Sequence, residues 1–186
     1  MMAEWSTSLS DLLIKLKAEK LPSLSGLFKI DAVIDVTDIR SNPIDGEAPY
    51  KCLLDMGLAR VTGLEPNPDA LERLNLKKGT NETYLPNAVF DGKEQELKVC
   101  TAEGMTSLLE PNTSLLNNFH GFLEWSKVQE RLTIPTVRFD DVKEFKNLDY
   151  LKIDIQGGEL GVFCNGVSKL CDCLVIHTEV NFLPMY

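Results

Sequence analysis

Short apolar runs rich in β-branched residues alternate along this chain with segments that have helix-forming patterns. AVIDV (32–36), VTGLEP (61–66) and YLKIDIQ (150–156) have the length and composition of buried strands. Helices are predicted to follow these runs, over residues 50–58, 67–79 and 158–170. Because strands alternate with helices, we predict a three-layer α/β sandwich around a mostly parallel sheet.

The same pattern places further strands and the ends of the helices. Additional extended segments are predicted at ETYLPNAVFD (82–91), ELKVCTA (96–102), TVRFDDV (136–142) and CLVIHTEV (173–180). The turn formers of residues 37–49 predict a loop after the first strand. Asn67 is a predicted N-cap with Pro68 at the first helical position, and Gly57 and Gly79 are suited to end the first two helices.

The composition of the chain limits which classes of binding partner are expected. Its 186 residues include 28 acidic and 19 basic side chains, which give a net charge of −9. Nucleic acids and anionic membranes are bound by basic faces, so neither is expected as the main partner. No stretch approaches the roughly 20 apolar residues that span a bilayer. The N-terminus has no signal-peptide pattern, so a cytoplasmic protein is expected.

The five cysteines and the two ends of the chain complete the outline. No cysteine or histidine spacing fits a zinc site, so reduced thiols and no metal are expected.

Residues 8–20 have a helical pattern, which predicts an N-terminal helical extension over 1–29 before a domain at 30–186. The chain stops just after a predicted central strand, so its last strands are expected to be missing.

Polar side chains recur where the predicted strands end. In open α/β sheets, ligands bind outside the carboxyl ends of the strands. The polar residues that the predicted strands place there are Asp35, Glu65, Asn87, Asp91, Asp154, His177 and Glu179. Their recurrence predicts a ligand site at this edge of the sheet.

Glu65 is the most interpretable of these residues. An acidic residue at the end of the second strand can accept hydrogen bonds from both ribose hydroxyls of a nucleoside cofactor. The alternative is that Glu65 flanks the turn before Pro66 and helps to start the next helix. For Asp35 a structural role and a ligand role are equally compatible with the sequence, because a buried carboxylate needs a partner in either case.

The segment after the strand at 150–156 combines two carboxylates with two glycines. Asp154 can hold the ammonium group of a cofactor or a substrate hydroxyl. Gly157 and Gly158 allow a tight turn or close approach of a ligand. Glu159 falls in the first turn of the next helix, where the helix dipole favours it, so it is either a dipole partner or a substrate contact.

Four further residues are candidates with simpler alternatives. His177 and Glu179 share a strand face, although a lone strand histidine is more often a core residue. Thr106 and Ser107 offer hydroxyls that either line a substrate pocket or cap the helix that follows.

The loop after the first strand lacks the glycines of a dinucleotide site. Within residues 37–49 the only glycine is Gly46, so the G-x-G-x-x-G pattern is absent. This absence counts against a nicotinamide enzyme. A cofactor without a pyrophosphate has less need of these glycines. S-adenosylmethionine is such a cofactor, because its ribose needs an acceptor but it brings no phosphates.

Six motifs occur in a fixed order along the chain. They are AVIDV, VTGLEPNPDALERLN, NAVFDG, TVRFDDV, YLKIDIQGGELGVF and VIHTEVNFLPMY. In this order they resemble the FkbM-type family of S-adenosylmethionine-dependent methyltransferases, over roughly residues 30–186. The most specific pieces are LEPNP (64–68) and LKIDIQGGEL (151–160). The resemblance implies a Rossmann-like class I methyltransferase fold.

The resemblance also implies roles for single residues. Glu65 matches the ribose-binding acid, and Asn87 and Ala88 lie where the adenine is usually approached. Asp154 ends the fourth core strand, beside the sulfonium and the acceptor. The full set of cofactor-binding candidates is Asp35, Glu65, Asn67, Asn87 and Ala88. One departure is Thr37, which stands in the first loop where the family has glycine and could crowd the cofactor.

Methyl transfer to an oxygen of a small-molecule acceptor follows from the resemblance, typically to a hydroxyl of a sugar, glycolipid or polyketide-like compound. The candidates to take the proton are Asp154, Glu179 and His177. The candidates for substrate contact are Thr106, Ser107 and Glu159. The alternatives are an inactive Rossmann-like binding module and a nicotinamide oxidoreductase. A monomer or homodimer is expected.

Overall fold

Five parallel strands form the central sheet of the protein. The computed structural model describes residues 32–42, 46–145 and 147–186. The strands within them are β1 (Ile34–Ile39), β2 (Ala59–Leu64), β3 (Glu82–Leu85), β4 (Val89–Phe90), β5 (Glu94–Cys100), β6 (Val128–Pro135), β7 (Val137–Arg138), β8 (Tyr150–Ile153) and β9 (Val175–Thr178). The main sheet has the order β3-β2-β1-β8-β9, and every neighbouring pair in it is parallel. The predicted mostly parallel sheet is confirmed.

Short helices connect the strands. They are α1 (Lys51–Asp55), α2 (Pro68–Lys77), α3 (Thr113–Leu116), α4 (Phe122–Trp125), α5 (Glu159–Cys164) and α6 (Val167–Leu170), with 3₁₀ turns at Glu103–Met105 and Phe139–Asp141. Asn67 caps α2 as predicted, because its side-chain oxygen accepts the backbone N–H groups of Asp69 and Ala70. Among the helices that the structure describes, none has the length and apolar character needed to cross a bilayer.

Apolar side chains cover both faces of the main sheet. On one face Val36 lies in a buried cluster with Tyr50, the residue before α1. On the other face Leu151 belongs to a larger cluster with Phe139 and with Val162 of α5. Successive residues of a strand point to opposite faces, so both faces of these strands are buried. This is the layered α/β architecture that is consistent with a Rossmann-like fold.

A second, antiparallel pair stands beside the main sheet. Strands β5 and β6 pair with each other over their whole length and form a ribbon. Cys100, Met105 and Leu116 make a small core next to this ribbon, and Met185 and Tyr186 pack against that core. The ribbon and the segment that follows β5 therefore have a core of their own, distinct from the two clusters on the parallel sheet.

The first strand is longer than predicted. The sequence indicated a strand that ends at Val36, whereas β1 runs to Ile39. The strand continues because the buried Asp38 is compensated, with the hydroxyl of Tyr50 donating to it and the ammonium group of Lys152 nearby. Thr37 consequently lies inside the strand, where it is buried, and not in the first loop.

Several other predicted strands were wrong in extent or partner. The strand predicted at 82–91 is divided into β3 and β4, and β4 pairs with β7 outside the main sheet. The segment predicted at 96–102 pairs with β6, for which no strand was predicted. Residues 101–127 separate β5 from β6, so no short hairpin turn in the local sequence signals this pairing.

The predicted helices also differ in extent from the structure at three places, the first being the helix predicted at 50–58, which spans Lys51–Asp55. The helix predicted over 158–170 is divided at Gly166 into α5 and α6. A Cβ atom at Gly166 would lie 2.7 Å from the ring of Phe139. Helix α2 ends before Gly79, because Lys78 is already extended. Gly57 follows α1 with a φ of 71°, as predicted for its cap. The helix predicted at 8–20 and the extension predicted at 1–29 lie outside the described residues.

Candidate functional site

Three carboxylates lie at the carboxyl ends of three adjacent strands. Strands β2, β1 and β8 are neighbours in the sheet, and their last residues are Leu64, Ile39 and Ile153. Glu65 and Asp154 follow β2 and β8 directly, and Asp38 is the penultimate residue of β1. Parallel strands end at a common edge, so this arrangement concentrates acceptor groups where ligands bind in open α/β sheets.

Asp38 is the most deeply buried of these carboxylates, with only 2% of its surface exposed. Its Oδ2 atom accepts a hydrogen bond of 2.6 Å from the hydroxyl of Tyr50. Its Oδ1 atom lies 3.3 Å from the Nζ atom of Lys152, an ion pair without hydrogen-bond geometry. Burial raises the pKa of Asp38 above its ordinary value, and Lys152 and Tyr50 oppose that rise.

Glu65 is also buried, with 3% of its surface exposed. Its Oε1 atom accepts the backbone N–H of Asn67 at 2.9 Å, and its Oε2 atom accepts that of Asn42 at 3.2 Å. Burial raises the pKa of Glu65, and these two N–H groups oppose the rise. The carboxylate thus joins the start of α2 to the loop after β1, and each oxygen keeps a second acceptor position.

The backbone is strained just after β1 and β8. Arg40 has a φ of 69° and Gln156 a φ of 58°, and no other described non-glycine residue has a positive φ. Gly157 continues the second turn with a φ of 93°. Strained conformations of this kind persist where surrounding contacts hold them, and they cluster at functional sites.

A segment that we call the strap, Glu103–Leu109, is tied to both strained turns. The Nη2 atom of Arg40 donates to the carbonyl oxygen of Glu103 at 2.6 Å, and the side-chain amide of Asn42 donates to the Glu103 carboxylate at 2.8 Å. At the other end, the hydroxyl of Ser107 donates to the carbonyl oxygen of Gln156 at 2.7 Å. The strap therefore connects the loops that follow β1 and β8.

A cavity of about 160 Å³ opens at this edge of the sheet. Its lining comes from the ends of β1 and β8, including Asp38, Arg40, Lys152 and Asp154, and from residues 46–49. A larger cavity of about 300 Å³ is lined by Asp149, which precedes β8, so it lies near the amino end of that strand. We assign the candidate site to the smaller cavity, because it lies at the carboxyl ends of the strands, where ligands bind in open α/β sheets.

Asp35 does not lie at this edge, so its predicted position was wrong. It is the second residue of β1, and its Oδ1 atom accepts a hydrogen bond of 2.8 Å from the Nε atom of Arg60. Its backbone N–H donates to Asp149. The prediction was wrong because the first strand was expected to end at Val36. Asp35 therefore seemed to lie at the carboxyl end of the strand, whereas it lies near the amino end of β1.

The other cofactor-binding candidates lie near the ends of β2 and β3. Asn67 follows β2, and its side-chain oxygen is engaged in capping α2. Asn87 and Ala88 follow β3, and the carbonyl oxygen of Ala88 accepts the N–H of Val137. Their roles in cofactor binding stay predictions.

The residues after β8 and β9 are joined by one glutamine side chain. The Nε2 atom of Gln156 lies 2.7 Å from Asp154 Oδ1 and 3.4 Å from Glu179 Oε2. The hydroxyl of Tyr186 donates to the side-chain oxygen of the same glutamine at 3.1 Å. Asp154 and Glu179 are therefore brought together at the edge of the sheet. His177 is exposed on β9, 3.2 Å from the hydroxyl of Tyr150.

The substrate candidates all have structural contacts. Thr106 accepts the backbone N–H of Cys100, and Ser107 is buried within the strap. Glu159 is buried at the start of α5, and its Oε1 atom accepts the N–H of Ile155 at 2.9 Å. This contact closes the turn before α5, which is a local role beyond the helix dipole.

Sequence reasoning missed three residues of the site, namely Asp38, Arg40 and Lys152. The first two were assigned to a loop because the strand was ended too early. A signal for Asp38 was available, since the β-branched Thr37 before it and the β-branched, apolar Ile39 after it continue the strand pattern of AVIDV. Lys152, in the apolar strand YLKI, was an equally visible polar interruption.

Comparison with known proteins identifies the family. The model of the FkbM methyltransferase domain matches residues 41–186, which is well over half of the chain. Neither the curated proteins nor the solved structures contain a match. The matched segment includes Glu65, Asp154 and the strap. The chain therefore belongs to the FkbM methyltransferase family.

Proposed function

We propose that this protein is an S-adenosylmethionine-dependent O-methyltransferase that acts on a hydroxyl of a sugar, glycolipid or polyketide-like small molecule. The observation that carries the proposal is the row of carboxylates Asp38, Glu65 and Asp154 at the ends of three adjacent parallel strands. Membership of a methyltransferase family supports methyl transfer as the reaction.

The donors and acceptors of the site fit this cofactor. Ribose hydroxyls and an α-ammonium group are hydrogen-bond donors, and they need acceptors. Among the described residues, Asp38 Oδ1 is a buried oxygen with no hydrogen-bond partner, and Glu65 has acceptor positions left on both oxygens. A ligand donor that reaches a buried, unpaired acceptor stabilises the complex, because that acceptor is no longer left without a hydrogen bond.

Residues at two strand ends would hold the nucleoside. Glu65 would accept from the ribose hydroxyls, with Asn67 beside it, and Asn87 and Ala88 would lie along the adenine. The cofactor, when bound, supplies a methyl group on a positively charged sulfur. The chain's own contribution is to orient the two reactants, which accounts for much of the rate in reactions of this kind.

Asp154 is the residue that we propose to take the proton from the acceptor hydroxyl. Gln156 donates to its Oδ1 atom, so the carboxylate is held in one orientation and Oδ2 is left to act as the base. Glu179 is the second candidate, because it is linked to the same glutamine, and His177 is the third. Thr106, Ser107 and Glu159 would shape the wall that faces the acceptor.

A thermal-shift experiment tests the proposal. At a concentration 100 times its dissociation constant, a ligand adds about 2.7 kcal/mol to stability. For a chain of this size that corresponds to a rise of roughly 5–10 °C in the melting temperature. We expect this rise with S-adenosylmethionine and none with NAD. Transfer of a labelled methyl group to a panel of hydroxyl compounds then identifies the acceptor.

Glu65→Gln is the informative variant for this experiment, because it keeps the shape and removes the charge. We expect affinity for S-adenosylmethionine to fall about 10- to 100-fold, the usual range for a charge-assisted hydrogen bond. Glu72→Gln, on the exposed part of α2, is the matched control and should bind as the wild type does. No shift with S-adenosylmethionine would favour the inactive binding module, and a shift with NAD alone would favour an oxidoreductase.

A further inference from the structure

The side-chain amide of Gln156 has groups of opposite character on its two sides. Its Nε2 atom donates to Asp154 Oδ1 at 2.7 Å and lies 3.4 Å from Glu179 Oε2. Its Oε1 atom accepts a hydrogen bond of 3.1 Å from the hydroxyl of Tyr186. The donor side of the amide therefore faces carboxylates that follow β8 and β9, and the acceptor side faces a tyrosine.

The direction of this amide follows from the groups around it. If the amide were turned over, its oxygen would face Asp154 and Glu179, and acceptor atoms would then meet acceptor atoms. Tyr186 favours the same direction, because burial raises the pKa of its hydroxyl, which therefore keeps the proton that it donates. The carboxylates and the tyrosine together select one orientation of Gln156.

Tyr186 is held in place by its neighbours in the chain and by its ring. Asn112 binds the two preceding residues, with its backbone N–H donating to the carbonyl oxygen of Met185 and its side-chain amide to that of Pro184, both at 2.8 Å. The ring packs against the small core beside the ribbon and covers Gly157, where a Cβ atom would lie 3.0 Å from it. These contacts do not need the hydroxyl, so Tyr186→Phe removes a donor and keeps the packing.

The backbone of Gln156 is fixed separately from its side chain. Its φ of 58° is strained, and its carbonyl oxygen accepts the hydroxyl of Ser107 at 2.7 Å. A glutamine side chain has several rotatable bonds, and ordering them costs conformational entropy that contacts must offset. The hydroxyl of Tyr186 offsets this cost from the oxygen side of the amide, which the carboxylates cannot do.

We propose that Tyr186 is a positioning residue, whose hydroxyl holds the amide of Gln156 so that its N–H group points at Asp154. This inference rests on the proposed function, because it concerns the carboxylate that takes the proton in methyl transfer. A fixed donor on Asp154 Oδ1 keeps the carboxylate in one orientation, so its other oxygen meets the acceptor hydroxyl in a constant geometry. In this role Tyr186 acts on the reaction through Gln156.

Side-chain NMR of the ¹⁵N-labelled protein tests whether the amide is held. The NH₂ resonances of Gln156 are identified by their absence in Gln156→Met, which keeps the length of the side chain and removes its polar atoms. We expect these resonances to show an ordered group in wild type, and an order parameter below about 0.6, typical of flexible groups, in Tyr186→Phe.

Tyr84→Phe is the matched control for this measurement. It also removes the hydroxyl of a half-buried tyrosine that donates to a side chain, in this case Glu82. Tyr84 lies on β3, at the opposite edge of the main sheet from β9, so its loss should leave the order of the Gln156 amide unchanged.

Methyl transfer measures the effect on the reaction, with labelled S-adenosylmethionine and the acceptor found in the panel of hydroxyl compounds. We expect Tyr186→Phe to lower kcat about 10-fold, part of the roughly 10²- to 10⁴-fold that a positioned general base contributes. The KM for S-adenosylmethionine should not change. Because Tyr186 acts through Gln156, Tyr186→Phe should cause no further loss of kcat when it is added to Gln156→Met.

Three results would overturn this role of Tyr186. They are an amide of Gln156 that stays ordered in Tyr186→Phe, an unchanged kcat in that variant, and an equal loss of kcat whether Tyr186→Phe is added to wild type or to Gln156→Met. Wild-type protein that binds no S-adenosylmethionine would instead overturn the proposed function, and the catalytic part of this inference with it. The NMR comparison needs no ligand, so it would still decide whether Tyr186 holds Gln156.

Discussion

A buried carboxylate near the end of β1 is the residue that shapes this site. Asp38 is compatible with a strand only because Tyr50 donates to one oxygen and Lys152 lies near the other. The compensation is incomplete, since burial still raises the pKa of the carboxyl group. Burial and the negative charge of Asp38 also raise the pKa of the Tyr50 hydroxyl, so this hydroxyl stays protonated as a donor.

The raised pKa of Asp38 predicts a pH dependence of stability. Above its ordinary pKa of 3.8 the unfolded chain releases this proton while the folded chain still holds it. The folded state then binds more protons, so wild-type stability should fall, relative to Asp38→Asn, as the pH rises from about 4 through the folded-state pKa. The loss is about 1.4 kcal/mol for each unit by which the two pKa values differ.

Urea unfolding of both proteins at several pH values between 4 and 7 measures this difference. Asp172→Asn, at an exposed position, is the control and should show no such trend against wild type. A difference between wild type and Asp38→Asn that stays constant over this range would contradict the raised pKa.

At the scale of elements, close approach between α5 and β4 positions the turn that carries Asp154. A Cβ atom on Gly161 of α5 would lie 2.2 Å from the ring of Phe90 in β4. Glycine is therefore required for this contact, although it lowers helix propensity. The contact fixes the start of α5, and with it the strained turn at Gln156 and Gly157 that follows β8.

Gly161→Ala should destabilise the protein by about 1–3 kcal/mol, because the added methyl group forces the ring of Phe90 or helix α5 to move. Gly104→Ala is the matched control, since a Cβ atom there meets no atom within 4 Å, and its effect should stay within about 0.5 kcal/mol. Denaturant unfolding measures both. Equal stability of the two variants would show that the helix adjusts without cost.

Within the compact unit Val33–Tyr186, the antiparallel ribbon of β5 and β6 is joined to the parallel sheet. The strap supplies the connection, with Glu103 held by Arg40 and Asn42 and with Ser107 bonded to the turn after β8. The hydroxyl of Ser107 is buried and also accepts the N–H of Leu109. One hydroxyl therefore satisfies polar groups on both sides of the junction.

Ser107→Ala should lower the free energy of unfolding by about 1–3 kcal/mol, because it leaves the carbonyl oxygen of Gln156 and the N–H of Leu109 without partners. Ser114→Ala, at an exposed position in α3, should change stability by less than about 0.5 kcal/mol. Urea unfolding measures both variants. A loss for Ser107→Ala no greater than that for Ser114→Ala would show that the hydroxyl does not stabilise the junction.

The success of sequence-based prediction varied with the range of the interactions. The cap of α2 at Asn67 was predictable, since the cap, the proline and the helix are adjacent in the chain. Glu65 and Asp154 were predicted near the ends of strands 61–66 and 150–156, and the structure places each directly after its strand. The end of β1 was not predictable, because it depends on contacts with Tyr50 and Lys152, which are 12 and 114 residues away.

By itself, the sequence determined the α/β class, the parallel sheet, the N-cap of α2 and the edge at which Glu65 and Asp154 gather. These features follow from local periodicity and from the rule that parallel strands end at a common edge. Only the tertiary structure decided that Asp35 belongs to the other end of the sheet, that Asp38 and Arg40 face one cavity, and that the strap joins two strained turns. Those facts depend on how far a strand continues and on which distant groups satisfy its buried polar atoms, which local sequence does not encode.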